Sequence, residues 1–343
     1  MRFARHRAAI GAVSAALGLA LLATACGGSA AGSGGEGTLV LYSGRDEGLV
    51  GPIIERFEQE SGIDVEARYG GTTEMAAQLL EEGSGTPAQV FLSQDAGALG
   101  ALAAAGRLAP LPAEVTDAVD KAYSATDGSW VGVTGRARVV VYDSQELTED
   151  QVPGDVTQFV QPQWRGRVAI APTNASFQAF VTALRVTEGD DAARTWLQEL
   201  KANEPQIMQS NLAILDAVNT GAVDVGLINH YYWAGSETDP EGLRAQIKFG
   251  DPGTTSALVN VSGVGVLAEA ADSAEARALV EFLVGTEAQT YFAEETAEYP
   301  LVAGVPGPQG VPSLDQLDGP DIDLSDLASL EQTVAMLTDV GLV

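Results

Sequence analysis

Short apolar runs alternate with amphipathic segments along most of the 343-residue chain. Residues 38–42 form a short, mostly apolar run that predicts a strand. The next segment is expected to be a helix because Leu49, Ile53 and Phe57 recur at four-residue spacing, and Gly62 is expected to end it. Repeated strand–helix–strand order of this kind predicts an α/β fold with a mostly parallel sheet covered by helices.

The pattern divides the chain into two alternating blocks. Extended stretches at 131–142 and 258–267 carry few helix signals and suit strands that cross between the blocks. The first block and its return are predicted to hold strands at 63–69 and 89–92 and helices at 74–82, 96–105, 273–284 and 287–293. The second is predicted to hold a strand at 168–171, a strand that ends at Tyr231, and helices at 177–187, 191–201, 212–220 and 324–337.

Two blocks joined by extended crossovers predict two lobes with a ligand cleft between them, and such a cleft closes around its ligand. We assign residues 38–136 and 260–312 to the N-terminal lobe, and residues 137–259 and 313–343 to the C-terminal lobe. Each lobe is expected to contain a mostly parallel sheet flanked by helices.

Residues 1–25 predict a secretory signal, because three arginines precede an apolar stretch that is short for a membrane span. Small residues lead into Cys26 as in a lipobox, although Ala23 stands where that motif prefers leucine. We therefore expect a lipoprotein, anchored through Cys26 to the outer face of the cytoplasmic membrane. Residues 26–37 would be its flexible tether. Simple secretion is the alternative.

The chain is strongly acidic, with 47 aspartates and glutamates against 18 lysines and arginines, a net charge of −29. This charge argues against nucleic acid or an anionic membrane surface as a partner. Membrane contact is therefore expected only through the lipid. With a single cysteine, and His230 as the only histidine after the signal, neither a disulfide nor a multi-histidine zinc site is expected.

The most informative residues are Tyr231 and Tyr232, which follow the apolar run 223–228. If the run is a strand, both phenols lie near its carboxyl end, where open α/β sheets bind ligands. Phenolate is a hard oxygen donor, and a trivalent cation is well able to displace its proton. The alternative is that both rings only pack, with their hydroxyls at the surface.

Ten short motifs follow one another along the chain, at residues 41–45, 70–74, 88–93, 130–142, 164–168, 171–173, 227–233, 251–253, 261–263 and 298–301. In order and spacing they resemble the ferric-iron substrate-binding proteins of bacterial ABC importers, a periplasmic binding protein family sometimes called bacterial transferrins. The resemblance implies the two-lobed periplasmic-binding-protein fold and no enzyme activity. It also implies delivery of Fe³⁺ to a membrane permease, and we expect a monomer.

The resemblance assigns the metal to Tyr231 and Tyr232, which match the tandem tyrosines of the family. Where many relatives have a histidine in the first lobe, this chain has Asp46, followed by Glu47. Where they have a glutamate, it has Gln94, a neutral and weaker oxygen donor. The neighbouring Asp95 is equally suited to cap the helix that begins at residue 96.

Some relatives hold a synergistic anion beside the metal, and carbonate, phosphate or citrate are the choices here. The resemblance implies that the loop 173–176 would bind this anion, and its amides suit an anion if a helix begins there. N-capping by the same residues is compatible with that role. The full set of anion-binding candidates is Thr173, Asn174, Ala175, Ser176, Asn211, Asn229, Arg45 and Arg136.

Other functions stay open at this point. A related receptor could bind another anion, a metal chelate, thiamine or a polyamine in the same cleft. A cell-surface hydrolase is disfavoured, because the chain has no Gly-x-Ser-x-Gly elbow, no P-loop and no histidine-based acid–base set. A structural or adhesive surface lipoprotein is the third alternative. Colour distinguishes among them, since tyrosinate bound to ferric iron absorbs visible light.

Overall fold

A computed structural model describes residues 38–343. The signal at residues 1–25, the lipidated Cys26 and the tether at residues 26–37 lie outside the described residues and stay predictions. Within 38–343, none of the helices combines the length and apolar character that a membrane crossing requires.

The strands of residues 38–343 belong to one mixed sheet of ten, in the order β2-β1-β3-β9-β4-β7-β5-β6, with β8 and β10 also paired to β4. Their bounds are β1 Leu39–Ser43, β2 Val65–Tyr69, β3 Val90–Ser93, β4 Val131–Asp143, β5 Val168–Ile170, β6 Gln206–Ile207, β7 Val225–Asn229, β8 Ala245–Phe249, β9 Val259–Val266 and β10 Tyr299–Pro300.

Helices cover both halves of this sheet. Their bounds are α1 Glu47–Ser61, α2 Thr72–Glu82, α3 Ala96–Ala104, α4 Ala113–Thr116, α5 Ala175–Glu188, α6 Asp190–Ala202, α7 Asn211–Asn219, α8 His230–Ala234, α9 Ala274–Leu283, α10 Thr286–Glu295 and α11 Leu330–Val340. Most of the predicted helices are confirmed within two residues at each end. Gly62 ends α1 as predicted, in the left-handed conformation with φ +73°.

The thirteen-residue strand β4 joins two parallel half-sheets. Strands β1, β2 and β3 are parallel, and so are β5, β6 and β7. The first part of β4 pairs antiparallel with β9, and the part from Arg138 onward pairs antiparallel with β7 and β8. Parallel pairing is therefore confirmed within each half, and the two crossover strands are antiparallel.

Three apolar cores pack against this sheet. The first collects side chains from β1, β3, β9 and helices α1, α2, α3, α9 and α10. Alternation along β4 separates the other two, because Val140 and Tyr142 face the core shared with α5 and α6, whereas Val139 and Val141 face the core shared with α7. The lobe boundaries given above stay a prediction.

The helix predicted at 324–337 is wrong as a single element. A 3₁₀ turn spans Leu324–Ala328, and α11 begins at Leu330 after a break at Ser329. Leu324 and Leu327 join the first core, as does Leu330 at the start of α11, whereas Leu337 joins the second.

The strand predicted to end at Tyr231 is also corrected. Strand β7 ends at Asn229, and α8 begins at His230. Residues three apart lie on the same side of a helical turn, and in α8 His230 and Trp233, which are three apart, are both buried. The Trp233 Nε1 donates to the Ala245 carbonyl at 2.9 Å, which fixes this turn. Tertiary packing thus overrides the preference of aromatic residues for strands.

Asp143 at the end of β4 provides a test of the second half-sheet. Its Oδ1 accepts from Arg244 Nε at 2.7 Å, and its Oδ2 accepts from Arg244 Nη2. These hydrogen bonds lower the pKa of Asp143. A lowered carboxyl pKa stabilises the fold above the unfolded value of about 4, and this stabilisation disappears as the pH falls through the folded pKa. Asp143→Asn should therefore lower the free energy of unfolding by about 2 kcal/mol at pH 7 and by much less at pH 3.

Urea unfolding at both pH values measures the stability of this variant. Asp272→Asn is the control, because Asp272 is fully exposed and its pair with Arg277 is loose, at 3.9 Å. The control should change stability by less than about 0.5 kcal/mol. An Asp143→Asn effect that is equal at pH 3 and pH 7 would contradict the ion-pair explanation.

Candidate functional site

Two stacked phenols form the centre of the site. Tyr231 and Tyr232 lie in α8, directly after the carboxyl end of β7, with ring centroids 4.3 Å apart and planes at 30°. A strand would have pointed the two side chains to opposite faces, whereas consecutive helical positions let the rings stack. Tyr231 is 3% exposed, and its hydroxyl has no hydrogen-bond partner within residues 38–343. Burial, and then the charge of Tyr231, raise the pKa of Tyr232.

A buried ion pair lies against this phenol pair. The Arg45 guanidinium carbon is 5.8 Å from the centroid of the Tyr231 ring, and Nη2 donates to Glu298 Oε2 at 2.8 Å. Arg136 Nε lies 4.0 Å from the other Glu298 oxygen. Burial alone would lower the pKa of Arg45, but the charges of Glu298, Tyr231 and Tyr232 and the hydrogen bond to Glu298 together outweigh burial, so the pKa is raised. The structure therefore gives both arginines a carboxylate partner, and their anion contact stays a prediction.

Arg138 is a functional candidate that sequence reasoning missed. It is 3% exposed, and no carboxylate of residues 38–343 forms a salt bridge with it. Instead its Nη1 donates to Ser176 Oγ at 3.1 Å and Asn229 Oδ1 at 3.3 Å, and its Nη2 donates to the Leu227 carbonyl at 2.9 Å. Burial lowers the pKa of Arg138 to about 9, against the opposing influence of the two tyrosines. A buried positive charge with only neutral partners is suited to an anion.

Four of the predicted anion residues meet around Arg138. Asn174 caps α5, with its Oδ1 accepting from the Ser176 amide at 2.9 Å and from Asn211 Nδ2 at 3.2 Å. Asn211 Nδ2 also donates to Ser176 Oγ at 2.9 Å, and Asn229 is paired opposite Arg138 across β7 and β4. Ala175 is the first residue of α5, and Thr173 is exposed just before it. The loop before α5 thus both caps the helix and supplies polar groups near Arg138.

The first-lobe candidates are less closely assembled. Asp46 and Glu47 are exposed, and Asp46 caps α1 by accepting from the Gly48 amide through Oδ1 at 2.9 Å. Gln94 is half-buried, and its backbone amide donates to Thr72 Oγ1 at 2.9 Å. The neighbouring Asp95 caps α3 by accepting from the Ala98 amide at 3.1 Å, so the capping alternative for Asp95 is the observed one. In the described part of the chain the Tyr231 hydroxyl has no hydrogen-bond partner, so none of these side chains bonds to it.

His230 has a structural position. It is fully buried, its Nδ1 accepts from the Ala137 amide at 3.1 Å, and its ring stacks on Tyr299 with centroids 4.4 Å apart. Burial lowers the pKa of His230 to about 3, which keeps the ring neutral. Across residues 38–343, no three histidine, cysteine, aspartate or glutamate side chains come together as a metal site, so a cation here would depend on the phenols.

Comparison with known proteins gives one family. The family model described as bacterial extracellular solute-binding protein matches residues 85–316. The chain is similar to the Fe(3+)-binding periplasmic protein of Serratia marcescens, with 34% identity over 92% of this chain and 94% of that protein. It is also similar to the major ferric iron-binding protein of Neisseria meningitidis serogroup B, with 32% identity over 89% of this chain and 93% of that protein.

A solved structure shares this architecture. The iron-bound HitA of Pseudomonas aeruginosa superposes with a TM-score of 0.84 and 32% identity, covering 89% of this chain and 99% of that protein. The two-lobed periplasmic-binding-protein fold expected from the sequence is thereby confirmed.

The Glu298 pair gives a test of the buried charges. Glu298→Gln removes the only carboxylate that forms salt bridges with Arg45 and Arg136 in the described part of the chain. Because it leaves buried positive charge uncompensated, the free energy of unfolding should fall by about 3 kcal/mol. Urea unfolding measures this loss.

Glu204→Gln is the matched control, because the Glu204–Arg165 pair is more than half exposed on both sides. It should leave the free energy of unfolding nearly unchanged. Equal losses for the two variants would mean that the Glu298 charge does not stabilise the site.

Proposed function

The chain belongs to the bacterial extracellular solute-binding protein family, and we propose that it captures ferric iron in the cleft between its lobes. The observation that carries the proposal is the stacked pair Tyr231 and Tyr232, in which the buried Tyr231 hydroxyl has no hydrogen-bond partner among residues 38–343. A buried polar atom without a partner is costly, and a bound cation removes that cost. The curated relatives named for ferric iron binding support the choice of metal.

Ferric iron suits these phenols chemically. A trivalent cation is strong enough to displace the phenol proton even where burial has raised the pKa, as at Tyr232. Binding would release protons, so affinity should weaken as the pH falls. Two tyrosinates and the Asp46 carboxylate would supply three negative charges, which balance Fe³⁺ and exceed the charge of a divalent ion.

A synergistic anion would complete the site on the side of Arg138. Arg138, Ser176, Asn211 and Asn229 offer a buried positive charge and neutral polar groups in one place. Carbonate, phosphate and citrate all match this chemistry. The same uncompensated charge also favours a second candidate function, the binding of an anionic solute without metal. Calorimetry with citrate or phosphate alone, compared with their ferric complexes, distinguishes the two.

We propose a binding order that follows from burial. The metal would bind first at the tyrosines of α8, and the first lobe would then close with Asp46 supplying an oxygen. The Asp46 Oδ2 is available for this because the helix cap uses Oδ1. Glu47 and Gln94 are the neighbouring oxygen donors from the same lobe. Closure excludes water and strengthens each charged contact.

The wider role proposed is transport without catalysis. The protein would act outside the cytoplasm, as a monomer held by lipid on Cys26, and would deliver its cargo to the permease of an ABC importer. The names of the curated relatives, which include a periplasmic protein, support this location.

Tyr231→Phe and Tyr232→Phe test the proposal most directly. Each removes one phenol oxygen and keeps the ring, so packing should survive. Titration of the purified, metal-free protein with ferric citrate should give a visible absorption band in the wild type. Either variant should lose most of that band and weaken binding by more than about 100-fold, beyond the loss expected for a supporting residue.

Tyr69→Phe is the matched control, because Tyr69 is a half-buried phenol of β2 within the first core. It should leave the band and the affinity unchanged. A wild-type protein that stays colourless and metal-free with ferric citrate would refute the proposed function.

Asp46 requires a variant that separates its two roles. Asp46→Ser keeps an N-cap oxygen for α1 but removes the carboxylate. If the carboxylate contributes to the metal site, affinity for ferric iron should fall by about tenfold, less than for the tyrosines, because solvent or an anion can take its place. Melting temperature should stay within about 2 °C of the wild type. Unchanged affinity in a well-folded Asp46→Ser protein would limit Asp46 to helix capping.

A further inference from the structure

A side-chain hydrogen bond links the two sides of the cleft beside the proposed site. Thr73 Oγ1, in the first turn of α2, donates to Gln178 Oε1, in the first turn of α5, at 2.8 Å. Helix α2 packs its Met75, Ala76 and Leu79 into the first core, whereas α5 packs its Phe177, Phe180 and Val181 into the second. The bond therefore joins the first turn of α2, which packs on the first core, to the first half of α5, which packs on the second; further along α5, Ala183 joins the first core.

Thr72, the residue before Thr73, connects α2 by hydrogen bonds to the loops that follow β1 and β3. Thr72 Oγ1 donates to the Gly44 carbonyl at 3.0 Å and accepts from the Gln94 amide at 2.9 Å. A Cβ at Gly44 would lie 1.9 Å from Thr72 Oγ1, so this close approach requires glycine. The first turn of α2 is thus coupled to both loops that carry the first-lobe candidates Asp46 and Gln94.

Gln178 ties the other side to the predicted anion loop. It is 4% exposed, and its Nε2 donates to the Pro172 and Thr173 carbonyls at 3.3 and 3.4 Å. Its amide nitrogen thus contacts the loop before α5, and its oxygen is the group that reaches Thr73. Hydrogen bonds at Thr72, Thr73 and Gln178, together with the peptide bond between Thr72 and Thr73, therefore connect the Gly44 loop to the loop at 172–173.

We propose that Thr73 and Gln178 are positioning residues that hold the cleft closed over the iron and its anion and slow their release. The inference rests on the proposed function and deepens it. The bond is lost when the two cores separate, so its free energy favours the closed form alone. A net hydrogen bond of about 1 kcal/mol corresponds to a change of about fivefold in release rate.

The experiment measures iron release from the full mature protein. Ferric-loaded wild type, Thr73→Val and Thr73→Ser are mixed with an excess of a strong iron chelator, and loss of the visible band is followed by stopped flow. Thr73→Val keeps the shape of the side chain but cannot donate, so release should be about fivefold faster. Thr73→Ser keeps the hydroxyl and should release at nearly the wild-type rate. The wavelength of the band should not change in either variant, because the tyrosines are untouched.

A double-mutant cycle identifies the partner. Gln178→Met alone should also speed release, and adding Thr73→Val to it should have little further effect if the two residues act through one bond. Additive effects would overturn the pairing. The proposed role of the Thr73–Gln178 bond would be overturned if Thr73→Val released iron at the wild-type rate, or if Thr73→Ser released it as fast as Thr73→Val. A wild type that never takes up iron would overturn the proposed function and this inference together, whereas a coloured wild type with an insensitive Thr73 would overturn this inference alone.

Discussion

The balance of buried arginine charge is the constraint on which the rest of the cleft depends. Arg45 and Arg136 share Glu298, while Arg138 has only neutral oxygen atoms around it. A buried charge without a counter-charge is unfavourable, so such a group is retained where something else supplies the compensation. In this cleft the available negative charges are those of deprotonated phenols or of a bound anion. Cation capture and anion capture are thereby coupled through one electrostatic requirement.

The long strand β4 creates this arrangement. Arg136 and Arg138 are two residues apart, so both point to the same face of the strand. The strand crosses from one half-sheet to the other at this point, since Arg136 is paired with β9 and Arg138 with β7. One arginine therefore lies 4.0 Å from the carboxylate of Glu298, and the other contacts Asn211 and Asn229. The part of β4 that crosses between the half-sheets carries the positive charge that a ligand would compensate.

Local sequence patterns predicted most elements and singled out Tyr231 and Tyr232, whereas the family resemblance pointed to the polar loop before α5. They failed where distant contacts decide. The helical turn of α8 depends on Trp233 bonding to β8, and aromatic residues alone favour a strand. Glu298 lies 253 positions from Arg45, so no local pattern connects them. Arg138 was missed because a lone arginine in a strand resembles a surface ion-pair residue until its burial is known.

Closure and charge compensation support each other physically. Water between the lobes would screen the attraction between Arg138 and a bound anion, and between the phenolates and a cation. The bond from Thr73 to Gln178 lies beside the predicted anion loop, because Gln178 also donates to the loop at 172–173. A weak neutral bond is appropriate there. A strong ion pair at the same place would hold the cleft shut without a ligand, whereas about 1 kcal/mol biases closure and still permits release.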